Sequence, residues 1–439
     1  MIQLYENCKI YNDNVEASAM QTIYDVLKSG AFNNSQIRIM PDVHDGKGIV
    51  IGFTAPLNNY INPNHVGVDI GCCIDTWFTN IPIETLHQKD LKNIERRIRN
   101  TIPFGLEINS KCIVDTKDFL KYLNQFVAKC ASKWDRIEYK IYTEKDIDLF
   151  CNRIGQDPGI FWKSLGSVGS GNHFIEFGSA PNKKGIECLN FTIHCGSRNL
   201  GVKVAAYHCG IAEKLTGTKS KEFKDLLNNT IKNLKDTKKL DIIEDTINTL
   251  KKEWKSKHPE GYLHGEYMNA YLNDMVLATA YSLYNHETIA KSIHSVLKRT
   301  ANNVMILDKI RSMHNYIDME DHIIRKGAIR AYEGELMVVP FNMRDGLAIC
   351  RGKGNSDWNY SCSHGAGRKM SRSQAKKSLS LDKFTEQMEG IITTSVCPST
   401  IDEAPDAYKD TNEIVSLIQD TCEILYFIKP IINLKAKDS

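Results

Sequence analysis

QIRIMPDVHDGKGIVIGFT at residues 36–54, followed by HVGVDIGCCIDTWF at 65–78, decides how this chain folds. Short β-branched runs alternate there with Gly, Pro, Asp and Asn. That texture reads as strands joined by tight loops, with the polar groups set at strand ends.

Outward from this block the texture changes in a regular way. Residues 84–151 read as mostly helical: in DTKDFLKYLNQFVAKCASKW the residues Phe119, Tyr122, Leu123, Phe126 and Val127 recur at three- and four-residue steps and mark a core face. A second strand-rich block at 164–200 reads as a hairpin turning at Pro-Asn-Lys-Lys-Gly. Residues 215–257 are lysine-rich, with Phe223, Leu226, Leu227, Ile231 and Leu234 on one stripe, and read as a helical insertion with a solvated basic face. The helix that follows carries a Met and Tyr stripe expected in the core. Strands return at 327–352, a helix follows Ser371, and the chain closes on ILYFIKPIINLKA. With no tandem repeat and no low-complexity linker, the expectation is one α+β (mixed α/β) domain over 1–439, its central sheets surrounded by helices and its insertion at 215–257.

Composition limits the function classes. The 439 residues are 42% hydrophobic, enough for a large core, and Lys plus Arg exceed Asp plus Glu by only 56 − 53 = 3, so nucleic acid must be met by a local patch. The start lacks the basic end and apolar run of a signal peptide, and no apolar run is long enough to span a membrane, so a cytoplasmic protein is the expectation. Thirteen irregularly spaced cysteines without C-x-x-C fit reduced thiols, and isolated ones such as Cys130 and Cys422 read as core filler.

Two constellations carry chemistry. Asp69 and Cys72 in GVDIGCC, His173 in GSGNHFIEF, His194 in FTIHCGSR and His314 in SMHNYID are carboxylate, thiolate and imidazole donors suited to a divalent transition metal, and a thiolate can bridge two ions. A histidine read alone is more readily a satisfied core residue, and the flanking Gly-Asn, Gly-Ser and Asn turns bring the two readings level. The second is YSCSHGAGRKMSR at 360–372, where Gly365, Ala366 and Gly367 leave backbone N–H groups open to a phosphate beside His364, with Arg368, Lys369 and Arg372 adding charge. A neutral imidazole is a good nucleophile toward phosphorus. The plain alternative is a helix N-terminus followed by basic residues. Neither G-x-x-x-x-G-K-[ST] nor G-x-G-x-x-G occurs, so P-loop and classical dinucleotide chemistry are disfavoured.

In order along the chain, MPDVHDGKG, VGVDIGCC, SLGSVGSGNHFIEF, HCGSRNLG, MHNY, RKGA and SCSHGAGRKMSR resemble the signature blocks of the RtcB family of RNA ligases, from about residue 38 to Lys435. The resemblance implies joining of an RNA 3′-phosphate or 2′,3′-cyclic phosphate end to a 5′-hydroxyl end, with GTP as co-substrate and two Mn²⁺ ions. It implies that His364 takes GMP from GTP, that Asp69, Cys72 and His173 hold one manganese, and that Cys72, His194 and His314 hold the other. The guanylate would be held by Asn172, His173, Phe174, Ile175 and Glu176, by His314 and Asn315, by Pro340, Phe341, Asn342 and Met343, by Gly365, Ala366 and Gly367, and by Lys435. Arg198 and Arg368 would take phosphates of RNA or nucleotide. Lys47 and His44 are further candidates for which structural roles stand equally open. The partners implied are RNA and GTP, without a membrane, in a protein acting as a monomer.

Departures from the family pattern bear on specificity. Many members read Pro-Gly-Ser-Met-Gly where this chain has Pro340-Phe341-Asn342-Met343-Arg344, and Leu347 stands where a serine is frequent. Cys73 and Cys195 replace Gly and Ser beside proposed ligands, which could alter metal choice or sensitivity to oxidation. Two other readings use the same residues: a dinuclear metal phosphohydrolase acting on nucleotides or RNA, which has no need of His364, and a non-catalytic RNA-binding module, which has no need of the metal donors.

Overall fold

The computed structural model describes residues 1–215, 218, 220–237, 242–257 and 261–437. At its centre is a five-stranded antiparallel sheet in the order Pro430–Leu434, Phe174–Pro181, Glu187–Cys195, Cys73–Pro82, Ile306–Met313. Because neighbours run in opposite directions, strands that begin at one rim alternate with strands that end there. Phe174 and Cys73 begin at that rim, while Cys195, Met313 and Leu434 end at it. The rim gathers residues 69–73, 173–176, 194–195, 313–315 and 434–435 from five separated parts of the sequence.

A six-stranded sheet lies beside it, in the order Ile2–Tyr5, Cys8–Ile10, Ile37–His44, Ile51–Pro56, Ile323–Lys326, Asn315–Ile317. Smaller sheets pair Ala328–Arg330 with Ser361–Ser363, and set Gly346–Gly352 between Leu336–Asn342 and Cys422–Ile428. The strands expected at 36–78 and 327–352 and the hairpin at 174–195 are present. Strand structure resumes earlier than the sequence reading placed it, already at Ile306, because Ile306–Met313 pairs with Cys73–Thr79, in register from Cys73 to Phe78 and with an irregularity before Thr79. Its alternation is masked by the charged run Asp308, Lys309 and Arg311.

The 33-residue helix Gly265–Leu297 unites the domain. Its first half, from Met268 to Tyr284, packs into one apolar cluster with the six-stranded sheet and the helix Thr116–Ala131. Its second half, from Ile289 to Leu297, packs into another with the five-stranded sheet. From Tyr271 to Ala290 no residue of this helix is exposed, and a helix covered all round carries no strong polar face. The stripe of the 215–257 segment appears as the helices Lys221–Asp236 and Ile243–Lys257, with Phe223 buried and Leu226 exposed. Residues 216, 217, 219 and 238–241 of that expectation lie outside the described residues. Among the described residues no helix is long and apolar enough to cross a membrane. All thirteen cysteines are free, and Cys130 and Cys422 are buried.

Candidate active site

The metal donors expected from sequence meet at the rim. His173 Nε2 lies 2.8 Å from Asp69 Oδ2 and 3.5 Å from Cys72 Sγ. Cys72 Sγ lies 3.3 Å from His194 Nε2, which faces His314 Nε2 at 3.4 Å. The donor atoms form two groups, Asp69–Cys72–His173 and Cys72–His194–His314, each within 4.8 Å, with Cys72 common to both. Three Nε2 atoms and one sulfur thus converge on one another rather than on separate partners, which is the arrangement cations between them would stabilise. Burial, followed by the charge of neighbouring histidines, pushes His194 and His314 well below the usual imidazole range, so both offer lone pairs. Burial opposes charge on Asp69, yet His173 beside it holds its carboxyl below the ordinary value. Burial and Asp69 push the Cys72 thiol well up, so a thiolate there needs a cation. Gly196 makes room: a Cβ at that position would lie 2.0 Å from Asp69 Oδ1.

Strand alternation divides the sequence candidates between the two faces of the sheet. Phe174, Glu176, His194 and Thr192 share one face through the pairs Phe174↔His194 and Glu176↔Thr192. Ile175, paired with Ile193, turns to the other face and into the apolar core, and its side chain does not line the cavity. Cys73 and Cys195 are likewise paired on that far face. Cys73 Sγ lies 3.4 Å from His286 Nε2, and His286 in turn contacts the Cys195 carbonyl at 2.9 Å. Cys73, Asp75 and His286 form a third compact donor group, but Arg311 grips the Asp75 carboxylate with Nε and Nη2. This group is a buried charge network behind the sheet, and neither substituted cysteine points at the metal donors.

The residue answering for His364 is Asp42, which sequence reading passed over. His364 Nδ1 donates to Asp42 Oδ2 at 2.6 Å. A carboxylate only accepts, so the ring carries its proton on Nδ1 and presents a lone pair at Nε2. The His364 and His314 ring centroids are 4.9 Å apart. Gly367 permits this approach: it adopts φ 73°, and a Cβ there would meet the Asp42 carbonyl oxygen at 2.3 Å. The expected open backbone N–H groups are partly used, since Ala366 N–H donates to the Pro340 carbonyl at 3.1 Å. The helix Arg372–Ser378 starts only after this turn, capped by Ser371, so His364 does not sit at a helix N-terminus.

His364 lines a cavity of about 980 Å³ with Asn172, Phe174, Glu176, Pro340, Phe341, Asn342, Met343, Gly365, Ala366, Gly367, Arg368 and Lys435, all expected from sequence. Burial pushes the Glu176 carboxyl up to about 8, against the opposing Asn433 hydrogen bond and the charge of Lys435. Asn433 Nδ2 donates to Glu176 Oε2 at 2.7 Å, a cross-strand pair that aims the carboxyl. Asn315 stands behind the metal donors, donating to the Asp69 carbonyl at 3.2 Å and accepting from Gly327 N–H at 3.0 Å. Arg198 donates Nε to Ser167 and Nη2 to the Gly105 carbonyl, bracing the loop before His173. Lys47 is exposed.

The cations at the cavity mouth already have acidic partners. Glu403 Oε1 accepts from Arg372 at 2.6 Å and Arg368 at 3.3 Å, while its Oε2 accepts from Lys435 at 2.8 Å and Tyr408 at 2.6 Å. Asp402 takes a second contact from Arg372 Nη1 at 2.6 Å. Both acids are buried and stand in TIDEAPDAY, a segment with no metal-like spacing or glycine signal.

Comparison with known proteins agrees with this geometry. The profile described as tRNA-splicing ligase RtcB matches residues 28–436. The RNA-splicing ligase RtcB of Escherichia coli K12 is 29% identical over 444 residues, covering 96% of this chain and 95% of that protein. The tRNA-splicing ligase RtcB of Aeropyrum pernix is 24% identical over 86% of this chain and 83% of its own length. RNA-splicing ligase RtcB homolog 1 of Entamoeba histolytica is 26% identical over 90% and 80%. A match that runs through every strand of the rim, joined to a metal-donor set and a histidine held by an acid, places this chain in the RtcB family.

Proposed function

We propose that this protein is an RNA ligase that joins an RNA 3′-phosphate or 2′,3′-cyclic phosphate end to a 5′-hydroxyl end, using GTP and a histidine–GMP intermediate on His364. The observation carrying this reading is the Asp42–His364 pair, which fixes a nucleophilic Nε2 in the same cavity as the nucleotide candidates. His364 Nε2 attacks the α-phosphorus of GTP and pyrophosphate leaves, after which the guanylate passes to the RNA 3′-phosphate. Asp42 keeps the Nδ1 proton in place and stabilises the ring as positive charge develops.

The donors of the two groups fit a pair of Mn²⁺ ions, which when bound supply charge neutralisation at the phosphates and Lewis acidity at phosphorus. Phe174, Phe341 and Met343 give the cavity its apolar wall. Glu176 offers a carboxylate to the N1–H and N2–H₂ edge of guanine, which adenine lacks. Arg368, Arg372 and Lys435 supply cations for phosphates. RNA splicing or repair, in the cytoplasm and by a monomer, is the setting this chemistry serves.

A dinuclear phosphohydrolase would use the same metal donors but has no use for the acid-held His364. Ligation of a cleaved RNA with defined ends tests the reading. Joining is expected with 3′-phosphate and 2′,3′-cyclic phosphate ends, dependent on GTP and Mn²⁺. Joining of 3′-hydroxyl ends alone, or hydrolysis without joining, would overturn it.

A further inference from the structure

Asp42 holds two imidazoles, not one. Its carboxylate accepts from His364 Nδ1, and its main-chain carbonyl accepts from His44 Nδ1 at 2.7 Å. A carbonyl only accepts, so His44, like His364, carries its proton on Nδ1 and leaves Nε2 as a lone pair. The two rings line the same cavity. His44 owes its aim to an irregularity between Ile39 and His44 where the strand Ile37–His44 pairs with Ile51–Pro56, as bulged strands turn a side chain out of register. Glu16, Ser18, Asp45, Ile51 and Val68 line the cavity as well, and none belongs to the nucleotide set, so the cavity has wall to spare for a second reactant.

We propose that His44 is the general base of the joining step, accepting the proton of the incoming RNA 5′-hydroxyl at Nε2. The proposal rests on the histidine–GMP reading above. In this step the 5′-oxygen forms a bond to the phosphorus of the guanylylated RNA 3′ end. The bond from that phosphorus to the guanylate oxygen breaks, GMP leaves with the electron pair, and the hydroxyl proton passes to His44 and then to solvent. Atoms and charge balance without any further reactant. Burial pushes the His44 ring down to about 4, against the Asp42 carbonyl bond, so it is neutral and ready to accept a proton at neutral pH. Entry of the anionic RNA end favours the protonated form and raises its basicity when it is needed.

The test separates the steps in the full-length protein with Mn²⁺. Protein–GMP labelling by GTP is measured first, and then the joining of isolated, previously guanylylated RNA to a 5′-hydroxyl RNA. His44→Ala is expected to slow joining by about 10²- to 10⁴-fold, far more than it slows labelling, and added imidazole is expected to restore joining. His44→Asn, which can still donate to the Asp42 carbonyl but has no basic nitrogen at the Nε2 position, is expected to share the defect while keeping the wild-type melting temperature. Wild-type label with unimpaired joining by His44→Ala would overturn the assignment of His44 alone, as would equal loss of both steps without imidazole rescue. Absence of label on the wild-type protein would overturn the histidine–GMP reading, and this one with it.

Discussion

The metal rim and the cationic mouth of the cavity are both crowded with charge, yet they are built on opposite principles. At the rim, Cys72 and the histidines at 173, 194 and 314 turn their donor atoms toward each other with no counter-charge beyond Asp69. At the mouth, Arg368, Arg372 and Lys435 are already matched by Asp402 and Glu403. The rim gathers donor atoms that could hold cations, whereas the mouth gathers cations already held by acids. Preorganisation of cations by buried carboxylates keeps their forks aimed, at the cost of attenuating their field.

The strongest way to break this contrast is Cys72→Ala. It removes the donor common to both groups, and joining is expected to fall on the order of 10³-fold or more, together with loss of Mn²⁺ binding by calorimetry. At the mouth, Glu403→Gln leaves three cations with one carboxylate. Breaking a buried ion-pair hub costs about 3–5 kcal/mol, so the melting temperature is expected to drop by several degrees. The KM for GTP is expected to rise while Mn²⁺ binding stays; loss of Mn²⁺ binding instead would show that the two regions are not independent.

Between these regions, Glu176 gives a pH signature. In the empty cavity its carboxyl stays protonated up to about 8. Guanine donors favour the carboxylate, so binding releases a proton and GTP affinity is expected to rise with pH until about 8 and level off above it, by at most about tenfold per pH unit. Glu176→Gln is expected to flatten that slope and to narrow the preference for GTP over ATP; an unchanged slope would remove guanine from this carboxyl. The smallest effect is expected on the covered face of the same sheet, where Ile193→Val should lower stability by about 0.5–1.5 kcal/mol in denaturant titration and leave GTP labelling as it was.

The contrast also explains what was legible in the sequence. Glycine-flanked donors at strand ends gave away the rim, because antiparallel order returns strand ends to one edge and the residue types are ones that could hold a metal. Period two then settled what residue spacing along 172–176 could not: Phe174 and Glu176 face the cavity, while Ile175 faces the core. Asp42 and Glu403 escaped notice because their roles depend on partners more than 30 residues or several hundred residues away: Arg372 and Lys435 for Glu403, and His364 for Asp42. An acid that holds a cation or a ring carries no local spacing signal. The strand Ile306–Met313 was hidden for a related reason, its Lys309 and Arg311 being paired with Glu287 and Asp75 only in the fold.

The central claim is that His364 Nε2, held by Asp42, forms a bond to the α-phosphorus of GTP. Incubation with α-labelled GTP and Mn²⁺, followed by peptide mapping, tests it most directly. An acid-labile GMP adduct on His364, lost in His364→Ala and reduced by about 10²-fold or more in Asp42→Ala, is the predicted result. Label that persists in His364→Ala, or ligation of RNA without any protein-bound GMP, would contradict it.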